Sequence, residues 1–273
     1  MKIKVLFLTL FALMSVSFAY AYDFEVNGIY YNIEKDGAWV TNYKFENYKY
    51  IPGYSGTVVI PRSVTNPLDG KTYNVTGIDV FAFRECTELT SVTLPKSIAA
   101  IGDGPFFGCV NLKTIKVKRG NKVFNSRRRC RAIIETQTQT LVAGCPKTRI
   151  HKKVKSIGDF AFSGLSCLTT VVIPENIKLI GDFAYFQCDS LSSITIPEHV
   201  TEIGEYAFSG CKALNTLNIN TPVPPLCGKA AFKEVDKVSC QVNVPEGSEE
   251  AYRKSNKWSD FKNIQIQANY TQK

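Results

Sequence analysis

The sequence predicts a β-rich solenoid, a fold in which short coils of chain stack along one axis. Three observations predict it: a pattern of 23 residues recurs, apolar residues alternate in a short stretch of each copy, and a proline ends most of those stretches. One copy is too short to bury its own apolar residues, whereas stacked copies form a continuous core. We therefore expect one short parallel strand per coil.

The first 21 residues have the pattern of a secretory signal peptide. Lys2 and Lys4 precede an apolar run over residues 5–18, which is followed by small residues ending at Ala21. The run is shorter than the roughly 20 apolar residues of a membrane-spanning helix, and no second apolar stretch lies near Lys273. These features predict cleavage after Ala21, no transmembrane segment, and a protein that is secreted or held at the cell surface.

The repeats divide the rest of the chain. Four copies of 23 residues span 89–111, 145–167, 168–190 and 191–213. Two copies are extended: 55–88 carries an insert, and 112–144 contains AIIETQTQTLVAG, which predicts two short strands around a polar turn. A seventh copy begins at Leu214 and loses the pattern at TPVPP. The solenoid is thus predicted over residues 55–220.

Each copy contains one predicted strand. In the copy at 191–213, Ile194 and Ile196 alternate on one face, so Thr195 points outward, and Pro197 ends the strand because it has no N–H. The same register predicts seven strands, near residues 58–60, 92–94, 115–117, 148–150, 171–173, 194–196 and 217–219.

The ends of such a solenoid would expose its core, so caps are expected. Residues 22–54 alternate apolar and polar positions, as in GIYYNI, and predict a β-rich N-terminal cap. Residues 221–273 include a charged, helix-compatible stretch at 246–256, followed by Trp258 and Phe261. These predict an α/β C-terminal cap in which the two aromatic rings cover the last coil.

The repeat L-x-x-[IVL]-x-[IVL]-P-x-x-[IV]-x-x-I-G-x-x-A-F-x-x-C resembles that of the BspA-like leucine-rich repeat family of bacterial surface proteins, over about residues 55–220. Three positions depart from it: His151 replaces the proline, Asp79 the glycine and Leu165 the cysteine. The resemblance implies a right-handed leucine-rich repeat solenoid, export from the cell, and a role in adhesion or recognition.

The cysteines fall into two groups. One inward-facing repeat position holds four of them, which we expect to be buried thiols: Cys86, Cys109, Cys188 and Cys211. Outside that position, Cys227 and Cys240 are the better candidates for a disulfide, and Cys130 and Cys145, which flank the predicted hairpin, are a second pair. Neither pair has the spacing of a metal site.

Catalytic patterns are missing from the sequence. The two histidines, His151 and His199, follow repeat strands at turns where side chains face solvent, while the repeat cysteines face inward. No nucleophile elbow, phosphate-binding loop or HExxH motif occurs. The sequence therefore predicts a protein that is not an enzyme and that uses no cofactor or metal.

Positive charge is concentrated in one part of the chain. Residues 112–155 contain fourteen lysines and arginines and one acid, Glu135, although the whole chain carries a net charge of only +9. Stacking of the third and fourth coils is expected to place Lys116 beside Arg149. The candidate ligand-binding patch consists of Lys116, Lys118, Arg149, Lys152 and Lys153.

Several functions fit these features. The partner is an extracellular protein bound by outward strand residues such as Thr93, Thr170 and Thr195, or an anionic glycan or lipopolysaccharide bound by the basic patch. Alternatively, the charge only keeps an extended loop soluble, and the chain is a structural surface protein without a specific ligand. Nucleic acid is not expected, because export separates the protein from it and Phe124 is the only aromatic residue in the basic stretch.

Overall fold

The structure is a computed structural model that describes residues 22–46, 49–126 and 130–267; the predicted signal peptide lies outside these ranges. It is a leucine-rich repeat β-solenoid of about eight turns with almost no helix. The described strands are β1 Phe24–Val26, β2 Ile29–Glu34, β3 Gly37–Val40, β4 Lys44–Glu46, β5 Lys49–Ile51, β6 Gly56–Val59, β7 Ser63–Thr65, β8 Thr72–Ile78, β9 Leu89–Leu94, β10 Ala100–Ile101, β11 Thr114–Val117, β12 Phe124–Asn125, β13 Ile133–Glu135, β14 Thr140–Ala143, β15 Ser156–Ile157, β16 Leu179–Ile180, β17 Ser193–Ile196, β18 Glu202–Ile203, β19 Thr216–Ile219, β20 Leu226–Cys227, β21 Gln241–Val244 and β22 Asn263–Ile266. The described helix is α1, Glu249–Lys254.

The N-terminal segment joins the solenoid through main-chain pairing. Strands β1, β2 and β3 form an antiparallel meander, and β3 then pairs in parallel with β8, with Val40 opposite Ile78. The insert of the first extended copy folds back as an antiparallel pair of β7 with β8. The first coil therefore has a β-sheet partner on its N-terminal side.

Two ladders of parallel strands run along the solenoid. Five of the seven predicted repeat strands lie in the first ladder, which is split into β6–β9–β11 and β17–β19–β21–β22. In the second of these sheets, Ile194 lies opposite Leu217. A second ladder, through β15, β16, β18 and β20, was not predicted. It contains the apolar residue before each repeat glycine, and the recurring triplets SIG, LIG and EIG were its sequence signal.

The strands predicted at residues 148–150 and 171–173 are wrong, because neither segment is a β-strand. The extended third coil places its own residues where the fourth coil would pair: Ser126 Oγ accepts from Val117 N–H, and Cys130 O accepts from Arg149 N–H. The segment 171–173 then lacks a neighbouring strand on one side, and Val172 is 85% exposed. The first ladder is consequently interrupted between β11 and β17.

The third coil differs from the others in two ways: it contains a hairpin, and it does not separate its neighbours at the corner of the solenoid. Its predicted hairpin is confirmed as antiparallel β13 and β14, with Ile133 opposite Ala143. At the corner of the solenoid the second and fourth coils meet directly, since Gly108 N–H donates to Ser163 O at 3.3 Å and Cys167 Sγ lies 3.3 Å from Val110 O. The second and fourth coils are therefore in contact at the corner and separated on the strand side.

Stacked aromatic rings form the centre of the core. Phe162, Tyr185, Phe208 and Phe232 lie one above the next, with ring centroids 5.2, 5.2 and 5.5 Å apart and planes within 5° of parallel. Trp258 covers the last ring at 5.3 Å and is fully buried, and Phe261 packs at 5.3 Å. The predicted role of these two aromatic residues as a cover is confirmed.

The repeat cysteines join successive coils. Cys109, Cys188 and Cys211 donate their S–H groups to carbonyls of the preceding coil at 2.9, 3.2 and 3.2 Å. Burial raises the pKa of the Cys211 thiol to about 12, because the thiolate would lose its hydration. The predicted burial of the four repeat cysteines is confirmed.

All nine cysteines are recorded as free thiols in this structure, and the pairing of Cys227 with Cys240 after export stays a prediction. Cys227 belongs to β20 of the second ladder, whereas Cys240 immediately precedes β21 of the first.

The parallel ladder continues beyond residue 220. Strand β21 pairs in parallel with β19, and β22 pairs in parallel with β21, so the segment predicted as a C-terminal cap also contributes two coil strands. Helix α1 buries Tyr252, whose hydroxyl donates to Thr221 O at 2.8 Å.

Tyr185→Phe is expected to raise the free energy of unfolding by about 1 kcal/mol. It removes a buried hydroxyl that has no hydrogen-bond partner among the described residues and keeps the stacked ring. Urea denaturation measures the change. Phe208→Tyr, which adds a hydroxyl to the next ring of the same ladder, should lower stability, and equal stability of the three proteins would contradict the prediction.

Iodoacetamide at pH 8 is expected to label Cys167 first, because it is the one exposed thiol of the nine. The four repeat cysteines should remain unlabelled until the protein is unfolded, since burial raises the pKa of each of their thiols and blocks access. Peptide mass mapping reads out each site. Rapid labelling of the repeat cysteines without denaturant would show that the inward-facing assignment is wrong.

Candidate functional site

The extended third coil opens two neighbouring grooves on the strand side of the solenoid. The first groove has a volume of about 840 Å³ and is lined by Thr114, Ile115, Lys116, Val117, Lys118, Arg119, Gly120, Asn121, Phe124, Asn125, Ser126 and Arg131. The second has a volume of about 560 Å³ and is lined by Asn125, Ile134, Thr136, Gln139, His151, Lys152, Lys153, Val154, Lys155 and Asn176. Asn125 lines both, so the grooves share a wall.

Asn121 holds the chain that leaves β11. Its Oδ1 accepts from Val123 N–H at 2.8 Å and Phe124 N–H at 2.7 Å, while its Nδ2 donates to Ile98 O of the second coil at 2.8 Å. Gly120 precedes it with φ of 89°, a left-handed conformation that glycine adopts without steric cost. These contacts fix the turn at one end of the first groove.

The shared wall and the second groove are also tied by side-chain hydrogen bonds. Asn125 Nδ2 donates to Thr136 Oγ1 at 3.1 Å, which links the wall to the hairpin. In the second groove, His151 Nδ1 accepts from Lys153 N–H at 3.1 Å, and Asn176 Nδ2 donates to Lys152 O from the following coil. The lysine-bearing turn is thus held by one hydrogen bond within the turn and one from the following coil.

Arg131 lies where the hairpin meets the fourth coil. Its φ of 57° is unusual for a residue other than glycine, and its carbonyl oxygen accepts from Thr148 Oγ1 at 3.0 Å. This conformation is held by contacts from the fourth coil, and the exposed guanidinium lines the first groove.

The linings of the two grooves carry cations without carboxylates. Among the described residues, seven lysine and arginine side chains line them: Lys116, Lys118, Arg119, Arg131, Lys152, Lys153 and Lys155. Ion pairs formed by Arg84, Lys212, Lys237 and Lys254 lie outside both grooves. Glu135 lies close in sequence, and its Oε2 accepts from Thr138 Oγ1 at 2.5 Å. The grooves therefore present a locally positive surface.

The structure distributes the five predicted patch residues unequally. Lys116 and Lys118 line the first groove, Lys152 and Lys153 line the second, and Arg149 lines neither. The expected side-by-side placement of Lys116 and Arg149 depended on a strand at 148–150, which does not form. Sequence reasoning did not select Arg119, Arg131 or Lys155, although all three belong to the counted basic stretch.

A second surface, on the C-terminal strands, is polar but uncharged. The outward positions of β17, β19, β21 and β22 are all polar and uncharged: Ser193, Thr195, Thr216, Asn218, Gln241, Asn243, Asn263 and Gln265. Asn243 Nδ2 donates to Asn218 Oδ1 at 2.8 Å, and Gln265 Nε2 donates to Asn243 Oδ1 at 3.0 Å. A row of linked amides therefore crosses the three C-terminal strands.

Within the part of the chain that the structure describes, no group of three or more His, Cys, Asp or Glu side chains is arranged to hold a metal ion. The same residues include no helix long and apolar enough to cross a membrane.

The chain is similar to several solved bacterial structures. A leucine-rich cell surface protein from Faecalibacterium prausnitzii A2-165 is 25% identical, over 74% of this chain and 55% of that one, with a TM-score of 0.41. A leucine-rich repeat protein from T. pallidum is 23% identical, over 81% and 80% of the two chains, with a TM-score of 0.40. One from Eubacterium ventriosum ATCC 27560 is 19% identical, over 82% and 78%, with a TM-score of 0.46. The chain thus spans about half the length of the first of these proteins.

No curated protein sequence matches the chain. The family model of the BspA-type leucine-rich repeat region matches in six copies, over residues 71–140 and 143–257, which together cover more than half of the sequence. The 23-residue period, the parallel ladders and the stacked aromatic core all agree with this match. The chain therefore belongs to the BspA-type leucine-rich repeat family.

Proposed function

We propose that this protein recognises an acidic extracellular macromolecule through the two grooves of its third and fourth coils. One observation carries the proposal: in the part of the chain that the structure describes, seven cationic side chains and no carboxylate line two adjoining concave surfaces. A concave surface of one sign concentrates the electric field and attracts ligands of the opposite charge. The function is binding, in adhesion or recognition, and not catalysis.

The local charge pattern favours a ligand over a merely solvated loop. Solubility requires surface charge, but it does not require that like charges share a groove, where they repel one another. A partner with phosphate, sulfate or carboxylate groups would relieve that repulsion. Sulfated or uronate glycans, lipopolysaccharide phosphates and acidic protein segments all supply such groups.

A second candidate function rests on the uncharged C-terminal strand face. Asn218, Asn243 and Gln265 hold one another in fixed orientations by amide hydrogen bonds, so this face is ordered before any partner arrives. A protein partner bound there would depend on hydrogen bonds and shape. Such binding would survive salt concentrations that weaken an electrostatic contact.

Location outside the cell is part of the proposal. The leader over residues 1–21, with cleavage after Ala21, would deliver the protein to the surface or the medium, where anionic glycans and the acidic faces of other proteins are accessible.

Replacing Lys116, Lys118, Lys152 and Lys153 by serine should weaken binding to heparin at least tenfold. Each exposed contact contributes on the order of 0.5 kcal/mol, so four give about 2 kcal/mol. Unfolding free energy should change little, because exposed substitutions usually shift it by less than about 0.5 kcal/mol each. Heparin-column elution and titration at two salt concentrations measure the effect.

The matched control replaces four exposed lysines outside the grooves by serine: Lys35, Lys71, Lys229 and Lys233. It removes the same charge and should lose much less affinity. Arg149→Ser should also have a small effect, since Arg149 lines neither groove. Equal losses for the two four-lysine variants would mean that net charge alone governs binding, and no binding by the parent protein would favour a structural role without a ligand.

A further inference from the structure

The two grooves offer a ligand cationic and polar groups but little apolar surface. Each of the apolar side chains in their linings is at most 7% exposed and therefore belongs to the core: Ile115, Val117, Phe124, Ile134 and Val154. Apart from Gly120, all the other lining residues have polar or charged side chains. Residues 127–129, which lie outside the described ranges, are all arginine and add no carboxylate. A ligand in the grooves would thus meet amines, guanidinium groups, amides and hydroxyls.

This surface favours one class of acidic ligand over the others. Protein partners are held chiefly by apolar and aromatic anchors that become buried at the centre of an interface. The acyl chain of a lipid likewise gains free energy only where it covers apolar surface. The described part of the grooves exposes no apolar side chain for either purpose. A saccharide needs none, since its surface consists largely of hydroxyls and, when it is acidic, of charged groups.

An uncharged polar wall separates the cations of the first groove from those of the second. Asn125 lines both grooves, and its Nδ2 donates to Thr136 Oγ1 at 3.1 Å and to Ile134 O at 3.3 Å. Thr136 and Gln139 continue the polar surface into the second groove. Amides and hydroxyls form hydrogen bonds with neutral sugar hydroxyls as well as with water. The wall therefore suits the uncharged part of a saccharide that lies between two acidic groups.

The shared wall also favours a long ligand over small anions. Because one residue lines both grooves, a chain that leaves the first groove enters the second directly. Once its first acidic groups are bound, the next ones are present at the other groove at a high effective concentration. Two separate anions gain no such advantage, and each loses its own freedom of motion on binding. A polymer that spans both grooves should thus bind more tightly than its isolated units.

We propose that one linear anionic saccharide chain crosses the wall at Asn125 and occupies both grooves at once. This inference rests on the proposed function and specifies its ligand. Sulfate, carboxylate or phosphate groups of the chain pair with the lysines and arginines of each groove, and neutral hydroxyls lie against the wall. The two sets of cations then form one site for a polymer.

The test uses isothermal titration calorimetry on the exported chain, from Tyr22 onward, with four probes. They are a heparin octasaccharide, a heparin disaccharide, a galacturonate octamer and a glutamate octapeptide with blocked ends. We expect one heparin octasaccharide per chain, bound at least tenfold more tightly than the disaccharide. The galacturonate octamer and the octapeptide carry the same number of carboxylates, so tighter binding of the octamer would reflect its saccharide framework. Comparison of the two saccharide octamers distinguishes sulfate from carboxylate as the preferred group.

Three variants, each lacking three cations, locate the octasaccharide. The first changes Lys116, Lys118 and Arg119 of the first groove to serine, and the second changes Lys152, Lys153 and Lys155 of the second groove. The matched control changes three exposed lysines outside the grooves, Lys71, Lys229 and Lys233. Each groove variant should weaken octasaccharide binding at least tenfold, whereas the control should weaken it less than threefold. Unchanged melting temperatures would exclude misfolding as the cause.

The contrary outcomes separate this inference from the proposed function. Two octasaccharides per chain, or a loss of affinity in only one of the two groove variants, would overturn the single chain across the wall. An octapeptide that binds as tightly as the galacturonate octamer would overturn the saccharide ligand while leaving the electrostatic function intact. Failure of all four probes to bind would overturn both.

Discussion

The structure depends on one constraint: no single coil can bury its own apolar residues or pair its own main-chain polar groups. A coil of 23 residues exposes both its apolar face and its main-chain polar groups unless another coil covers them. The stacked rings of Phe162, Tyr185 and Phe208, each 5.2 Å from the next, and the S–H groups that reach carbonyls of the preceding coil are consequences of that requirement. Register between neighbours is therefore strict wherever coils touch, and the ends need Trp258 and the N-terminal meander to cover them.

In the third coil, stacking contacts between neighbouring coils are kept at the corner of the solenoid but not on the strand side. At the corner, the second and fourth coils close directly through Gly108 and Ser163, and β14 pairs in parallel with β15. On the strand side, the extra residues place Ser126 and Cys130 between β11 and the fourth coil. The buried core divides at this coil into two clusters that share no residue, while the surface acquires two grooves. Extension of one coil thus creates a surface feature at the point where the first ladder is interrupted and the buried core divides.

Charged and uncharged side chains are divided between the irregular third coil and the regular C-terminal strands. Cations concentrate in the coil that departs from the regular stack, where side chains reach solvent in a groove. The regular C-terminal strands instead carry uncharged amides such as Asn218 and Asn243, which can lie side by side in a parallel ladder without repulsion. Parallel stacking in register places identical positions next to each other, so a lysine repeated in every coil would be costly. The irregular coil is the part of the molecule best able to hold many like charges.

The sequence by itself determined the period, the inward positions such as Ile194 and Cys211, the hairpin of the third coil and the covering role of Trp258. All of these follow from local spacing repeated along the chain, and local spacing is visible without coordinates. Only the tertiary structure decided that residues 148–150 and 171–173 are not strands, that β21 and β22 continue the ladder, and that Arg149 lies outside the grooves lined by Arg119, Arg131 and Lys155. Strand pairing depends on what occupies the adjacent position in space. Where the inserted residues of the third coil settle is set by hydrogen bonds such as Ser126 with Val117, which join residues that no repeat pattern relates.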